Sequence, residues 1–121
     1  MGKYVDGFVL PIPRKNAAVY RHISRRAGKI WRDHGALAYF ECSADDVKPG
    51  KWTSFPQAVK LKRGEVVWFS WIVFKSRAHR DRVNAAVMKD ERMSSLMTPE
   101  MQTVLDAKRA VYGGFKVEVD A

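Results

Sequence analysis

The segment Glu65 to Phe74 constrains the fold more than any other part of the chain, because it reads as a strand that is apolar on both faces. Successive side chains of a strand point to opposite faces. The two sets are Val67, Phe69, Trp71 and Val73 on one face and Val66, Trp68, Ile72 and Phe74 on the other, interrupted only by Ser70. Both faces of this strand must therefore be covered.

The remaining elements follow from periodicity and from turn residues. The predicted strands are Tyr4 to Leu10 (ended by Pro11 and Pro13), Ala36 to Ser43, Glu65 to Phe74 and Gly113 to Val119; the predicted helices are Ala17 to His34 after Asn16, Ser76 to Lys89, and a short one at Thr98-Pro99-Glu100. The order is the ferredoxin-like βαββαβ plan, an α+β fold with a four-stranded antiparallel sheet. Right-handed crossovers place the two main helices on one face of that sheet.

The second face of this sheet needs a cover of its own. Fully burying one large apolar side chain is worth roughly 1.5 to 3 kcal/mol, so exposing several of them in one strand is costly. Two covers are available: the third, short helix, or a second copy of the sheet. We favour the second copy, which predicts a homodimer in the form of a sheet-to-sheet α+β barrel.

Length and composition indicate one domain and restrict its location. The chain has 121 residues, of which 46% are apolar and 29% charged, as in ordinary globular proteins. No apolar stretch approaches the roughly 20 residues that span a bilayer, and the first residues lack the apolar core of a signal peptide. We expect a cytoplasmic protein without a membrane partner. The single cysteine, Cys42, is predicted to be a buried, inert side chain.

Several segments resemble one bacterial family over nearly the whole chain. They are Tyr4 to Pro11, Gly35-Ala36-Leu37, Phe69 to Val73, Lys75 to Asp81 and Tyr112-Gly113-Gly114-Phe115. They resemble the YbaA-like family of uncharacterised bacterial proteins, the domain of unknown function fourteen twenty-eight. The resemblance implies the dimeric α+β barrel superfamily, which includes small monooxygenases, dehalogenating and decarboxylating enzymes and ligand-binding proteins. It implies no particular reaction, because a fold alone does not define a function.

Asp6 is the first candidate for chemistry, because it lies in a predicted central strand. A carboxylate there must be paired or have its pKa raised. It is either a structural partner of a nearby arginine or backbone amide, or an acid/base residue. His79, in the first turn of the second main helix, is predicted to point towards the sheet beside Arg77. Together the three residues form a candidate site for an acidic small molecule or for proton transfer near neutral pH.

Four further residues are candidates with a structural alternative. Ser70 either meets a ligand or saves space within the apolar strand, and Tyr39 and Glu41 share one face of the second strand, where they line the same cleft or form an ordinary half-buried edge. His34 ends the first helix, where it serves either as a cap that suits the helix dipole or as a proton-transfer group.

The net charge of +9 raises the alternative of nucleic-acid binding. A stripe of Arg21, Arg25, Lys29 and Arg32 follows one face of the first helix. The aromatic residues of that helix, Tyr20 and Trp31, belong to the opposite face. The stripe therefore lacks the aromatic side chains on which the bases of a single-stranded nucleic acid stack. A solvated helix face is the default interpretation of this pattern.

Cofactor motifs do not appear in the sequence. Gly113-Gly114 is followed by neither a helix nor a Lys-Ser or Lys-Thr pair, and no cysteine or histidine spacing typical of a metal site occurs. We therefore expect neither metal nor nucleotide. The leading hypothesis is a homodimer that binds a small, acidic molecule between sheet and helices, with or without acid/base catalysis. The alternatives are an RNA-associated basic protein and a structural or interaction protein without a cleft.

Overall fold

The computed structural model describes residues 2–121 and contains the predicted elements in the predicted order. The strands are β1 (Tyr4–Pro13), β2 (Ala38–Ser43), β3 (Glu65–Phe74) and β4 (Val111–Lys116); the helices are α1 (Ala17–Asp33), α2 (Phe55–Ala58), α3 (Arg77–Met88), α4 (Glu91–Leu96) and α5 (Pro99–Gln102), with 3-10 turns at Arg14–Asn16 and Ala107–Arg109. The four-stranded antiparallel sheet is confirmed, with the strand order β2-β3-β1-β4. The two longest strands, β1 and β3, are therefore central.

β1 is longer than predicted, because the strand continues through Pro11 and Pro13 instead of ending before them. Both prolines pair with β3, but β4 pairs with β1 only as far as Val9. Beyond Val9 the strand is an edge on that side, where a proline without an N–H disturbs no ladder. β4 begins at Val111 and ends at Lys116, both earlier than predicted. It ends there because Lys116 pairs with Tyr4, the first residue of β1.

The two main helices begin and end close to the predicted residues. α1 ends at Asp33, with His34 as its C-cap and Gly35 at a positive φ of 112°, which favours glycine. Ser76 caps α3 by accepting the backbone N–H of His79 at 3.1 Å. Asn16 stands at the N-cap position of α1 without capping it; its amide donates instead to the Val104 carbonyl at 2.9 Å. No helix within residues 2–121 has the length and apolar composition needed to cross a membrane.

β3 presents its even-numbered residues to the helices and its odd-numbered residues to the other face of the sheet. Trp68, Ile72 and Phe74 are buried together with Leu10 and Ile12 of β1. From the helices, the same core receives Tyr20, Ile23, Ala27, Ile30, Val83 and Val87. The core therefore lies between the sheet and one helix layer.

The opposite face of the sheet, which we call the open face, remains largely uncovered. It exposes 48% of Phe40, 43% of Phe69 and 63% of Phe115. The rings of Phe40 and Phe69 both lie against Trp71, at 4.9 Å and 5.4 Å between centroids. Only one end is covered, where α2 contacts β1 and the ring of Phe55 meets Phe69. An exposed cluster of aromatic side chains is typical of interaction sites.

Cys42 does not have the predicted environment. It is exposed and pairs with Phe69 in the β2–β3 register, which places it on the open face. The prediction of a buried cysteine was wrong for the single chain, because it assumed that both faces of β2 are covered.

The segment between α3 and β4 packs on the helix side of the sheet. Met93, Leu96 and Val104 are buried in the same core as α1. Arg92 of α4 also reaches Asp33 of α1 at 2.8 Å. This segment is therefore not the cover of the open face, which removes one of the two covers that the sequence offers.

Candidate functional site

The polar side chains suited to binding or acid/base chemistry lie on the helix side of the sheet, around Glu41 of β2. Its carboxylate accepts the hydroxyl of Tyr20 at 3.0 Å and the hydroxyl of Tyr39 at 2.8 Å. Burial raises the pKa of Glu41 above its ordinary value, although side-chain hydrogen bonds, led by that of Tyr39, act in the opposite direction. The pKa values of both tyrosines are also raised, first by their own burial and then by the neighbouring carboxylate. The group is thus a carboxyl that retains its proton more readily than an exposed glutamate.

Local sequence explains how these three groups meet. Alternation along β2 points Tyr39 and Glu41 to the same side, and Tyr20 reaches them from the buried face of α1. Gly28 of α1 allows the close approach, since a Cβ atom there would lie 2.7 Å from Cδ1 of Tyr39. Ser70 stands opposite Glu41 in the β2–β3 register and is 3% exposed. Its small side chain leaves space beside the carboxylate.

A cavity of about 300 Å³ opens beside Glu41 between sheet and helices. It is lined by Phe8, Leu10, Tyr20, Trp31, Tyr39, Glu41, Ser70, Ile72 and Met97. We call it the cleft. Aromatic and aliphatic walls with a few polar groups are the usual construction of a small-molecule site.

Asp6 lines a neighbouring cavity of about 420 Å³, which shares Phe8, Trp31 and Ile72 with the cleft. Its carboxylate accepts from Arg80 at 2.8 Å and from the Asn84 amide at 3.4 Å. The Asn84 oxygen in turn accepts the indole N–H of Trp31 at 3.0 Å. This agrees with the structural alternative for Asp6, a carboxylate in a central strand that is paired with a nearby arginine.

The predicted trio of Asp6, His79 and Arg77 does not assemble. Arg77 is exposed, and Asp6 binds Arg80, one helical turn further along α3. His79 points to the Gly35 end of the sheet, where its Nδ1 accepts the backbone N–H of Lys75 at 2.9 Å. Burial lowers the pKa of His79, and the nearby Lys75 lowers it further. The trio does not form because Arg77 is exposed and Arg80 is the partner of Asp6; His79 itself does lie against the sheet, with its ring 6.0 Å from that of Phe74.

His34 lies away from both cavities. It is the C-cap of α1, and its Nε2 atom is 2.7 Å from the carboxylate of Asp90, which is the N-cap of α4. Of the two roles that the sequence allowed for His34, cap or proton-transfer group, the structure therefore shows the cap.

The basic stripe of α1 is not uniform. Lys29 is paired with Asp33 at 3.2 Å. Arg21, Arg25 and Arg32 instead line a groove of about 460 Å³ between α1 and β2, and Tyr39 and Glu41 form part of its lining. The stripe and the cleft are therefore neighbours, which the sequence did not indicate.

Sequence reasoning missed Tyr20, Trp31, Arg80 and Asn84 as members of these sites. Tyr20 and Trp31 carried only the signal of core residues at helical spacing. Arg80 and Asn84 stand four residues apart on α3, a spacing that puts two polar groups on one helix face beside apolar Val83. That pattern was the available signal for the partner of Asp6.

Comparison with known proteins identifies relatives without a known function. A family model described as "Protein of unknown function (DUF1428)" matches residues 3–107. The "Uncharacterized protein YbaA" of Escherichia coli K12 is 41% identical over 118 residues, covering 98% of each chain, and that of Shigella flexneri gives the same values. A crystal structure of a NIPSNAP family protein of unknown function from Agrobacterium tumefaciens is similar with a TM-score of 0.61 at 18% identity, covering 96% of this chain and 88% of that one. This last similarity concerns the fold alone.

Proposed function

We propose, from the premise that the chain belongs to the DUF1428 family of proteins of unknown function, that it binds a small organic molecule in the cleft beside Glu41. One observation carries this proposal: a carboxyl group held by two tyrosine hydroxyls forms part of the wall of an otherwise apolar cavity of about 300 Å³. A ligand of that size gains affinity from the apolar walls and orientation from the few polar groups, among them Glu41 and Ser70.

The chemistry of the cleft is acid/base chemistry without metal or nucleotide. Because its pKa is raised, Glu41 exchanges a proton closer to neutral pH than an exposed glutamate does. The hydroxyls of Tyr20 and Tyr39 orient its two oxygens. Glu41 replaces Asp6 and His79 as the acid/base candidate, since Asp6 is engaged by Arg80 and His79 lies elsewhere. Tyr39 and Ser70 keep their role as ligand-binding candidates and Arg77 loses it, while His34 is no longer a candidate for proton transfer.

The proposal includes a homodimer that is formed through the open face. The segment that includes α4 and α5 packs on the helix side, so the chain itself leaves the aromatic rings of Phe40, Phe69 and Trp71 partly exposed. Glu65, at the end of β3, is the charged strand residue of that face, and it is paired with Arg109 at 2.6 Å; the other strand residues there are uncharged, as in obligate interfaces, which resemble a divided core. A second copy supplies a matching apolar sheet at the usual distance of about 10 Å. The cleft lies on the other side of the sheet and stays accessible in such a dimer.

Binding to variants of the cleft tests the proposal. A library of small organic compounds is screened by thermal shift against the wild-type protein, and hits are titrated by calorimetry. We expect Ser70→Leu, which fills the cleft, and Glu41→Gln, which removes its ionisable group, to weaken binding at least about tenfold. Glu118→Gln, at an exposed glutamate outside the cleft, is the control and should bind normally. Equal affinity in all four proteins would refute a ligand site in the cleft.

A further inference from the structure

The groove between α1 and β2 is a concave basic surface with small residues at its base. Arg21, Arg25 and Arg32 line it from α1. Ser24, Gly28 and Ser43 add little bulk, so there is room for about 460 Å³ between the guanidinium groups. Arg32 is held by a hydrogen bond to the backbone carbonyl of Leu37, and Arg21 lies 6.0 Å from the ring centroid of Trp68.

The arginines of this groove are not neutralised by the chain. None of the ion pairs formed within residues 2–121 involves Arg21, Arg25 or Arg32, whereas Arg80, Arg92 and Arg109 all have carboxylate partners. Lys29, on the same helix, is paired with Asp33. These three guanidinium groups form no ion pair in the part of the chain that the structure describes and outnumber the one carboxyl group in the lining, that of Glu41, so the groove favours an anion, which each arginine can bind through two parallel hydrogen bonds.

Resting on the function proposed above, we infer that this groove is the anion-binding entrance of the cleft, and that the ligand is an organic anion with a carboxylate or phosphate group on a small apolar body. The groove and the cleft share Tyr39 and Glu41 in their linings. An anionic group held by the arginines places the adjoining part of the molecule at the Glu41 carboxyl. The arginines therefore select the ligand and orient it towards the acid/base group.

A nucleic acid fits this groove less well. Trp68, which lines the groove and lies 6.0 Å from Arg21, is 4% exposed and offers no face on which a base can stack. A small anion needs no stacking surface, so this difficulty does not apply to it.

The test uses benzoate and phenyl phosphate as probes and benzamide as their uncharged analogue, titrated into the full chain by calorimetry. We expect at least one of the two anions to bind at least about tenfold more tightly than benzamide, since hydrogen bonds to a charged group are stronger than those to a neutral one. Tighter binding of benzoate identifies the anionic group of the ligand as a carboxylate, and tighter binding of phenyl phosphate identifies it as a phosphate. In the double variant Arg21→Gln/Arg25→Gln the advantage of that anion should disappear. The control Arg63→Gln/Arg82→Gln removes the same charge from exposed positions outside the groove and should leave the advantage unchanged.

The outcomes separate the two proposals. If neither anion binds more tightly than benzamide, or if both double variants weaken anion binding equally, the entrance is refuted. Benzamide binding that is lost in Ser70→Leu would then still support the cleft. If an anion binds through the arginines but is unaffected by Ser70→Leu, the groove is an anion site unconnected to the cleft and the inference fails, whereas the proposed function fails only if benzamide binding is also unaffected by Ser70→Leu. Tighter binding of an RNA oligonucleotide that increases with its length and depends on Arg21 and Arg25 would also overturn it.

Discussion

The ionisation of Glu41 connects stability with the proposed chemistry. Burial raises its pKa in the folded chain above the value of about 4.3 that an unfolded glutamate has. The folded state therefore binds this proton more tightly, and the resulting contribution to the free energy of unfolding is complete below about pH 4.3 and lost as the pH rises through the folded pKa.

Glu41→Gln removes that dependence. We predict that the free energy of unfolding of Glu41→Gln, relative to that of the wild-type protein, increases as the pH is raised from acid to neutral. Urea unfolding at a series of pH values and one fixed protein concentration measures the difference, with Glu118→Gln as the exposed control. A difference that is constant with pH would contradict a raised pKa.

Gly28 permits the contact between α1 and Tyr39. In an ordinary helix interior, Gly→Ala stabilises by about 1 kcal/mol. Here a Cβ atom would lie 2.7 Å and 2.9 Å from ring atoms of Tyr39, and overpacking of that kind costs about 1 to 3 kcal/mol. We predict that Gly28→Ala destabilises the protein in chemical denaturation. In a Tyr39→Ala background the same change should stabilise it; stabilisation in both backgrounds would contradict the close approach.

At the scale of elements, α4 depends on a charged contact with α1. The Asp90 carboxylate accepts the backbone N–H of Arg92 at 2.8 Å and lies 2.7 Å from Nε2 of His34. Its pKa is held well below the ordinary value, first by Arg92 and then by His34, so this contact contributes at neutral pH and is lost in strong acid. α4 leads directly to Met97, which lines the cleft.

Loss of this contact should loosen α4. We predict that Asp90→Ala accelerates hydrogen exchange of the backbone amides at residues 91–97 at neutral pH, while those of α1 are protected as before. Asp90→Asn keeps a capping oxygen but not the charge and should have a smaller effect. Unchanged exchange in Asp90→Ala would show that apolar packing of Met93 and Leu96 alone holds α4.

The elements that the sequence predicted well are those with local signals. Ser76, the glycine after α1 and the doubly apolar run of β3 define α3, α1 and β3 without reference to the rest of the chain. The predicted end of β1 was wrong because it depends on how far β4 extends. α4 was missed because its six residues make fewer than two helical turns, too few for a repeating apolar pattern. The site divides in the same way: alternation in β2 placed Tyr39 and Glu41 together, whereas the partners of Asp6 and Glu41 come from distant segments.

At the scale of the whole molecule, the proposed assembly depends on one face of the sheet. Phe69 is 43% exposed in the single chain, at the centre of the open face, and Val19 of α1 is 44% exposed on the helix side. Replacing either by glutamate adds the same charge at the same exposure. We predict that Phe69→Glu yields folded monomers, while Val19→Glu retains the assembly of the wild-type protein. Cys42 should also react slowly with thiol reagents in the wild type and quickly in Phe69→Glu.

Sedimentation equilibrium of the wild-type protein at micromolar concentrations examines this assembly most directly. The open face predicts a mass of twice the 13.8 kDa of one chain, and a mass of one chain for Phe69→Glu. A wild-type protein that sediments as single chains throughout that range would contradict the dimer, and the aromatic open face would then lack its proposed cover.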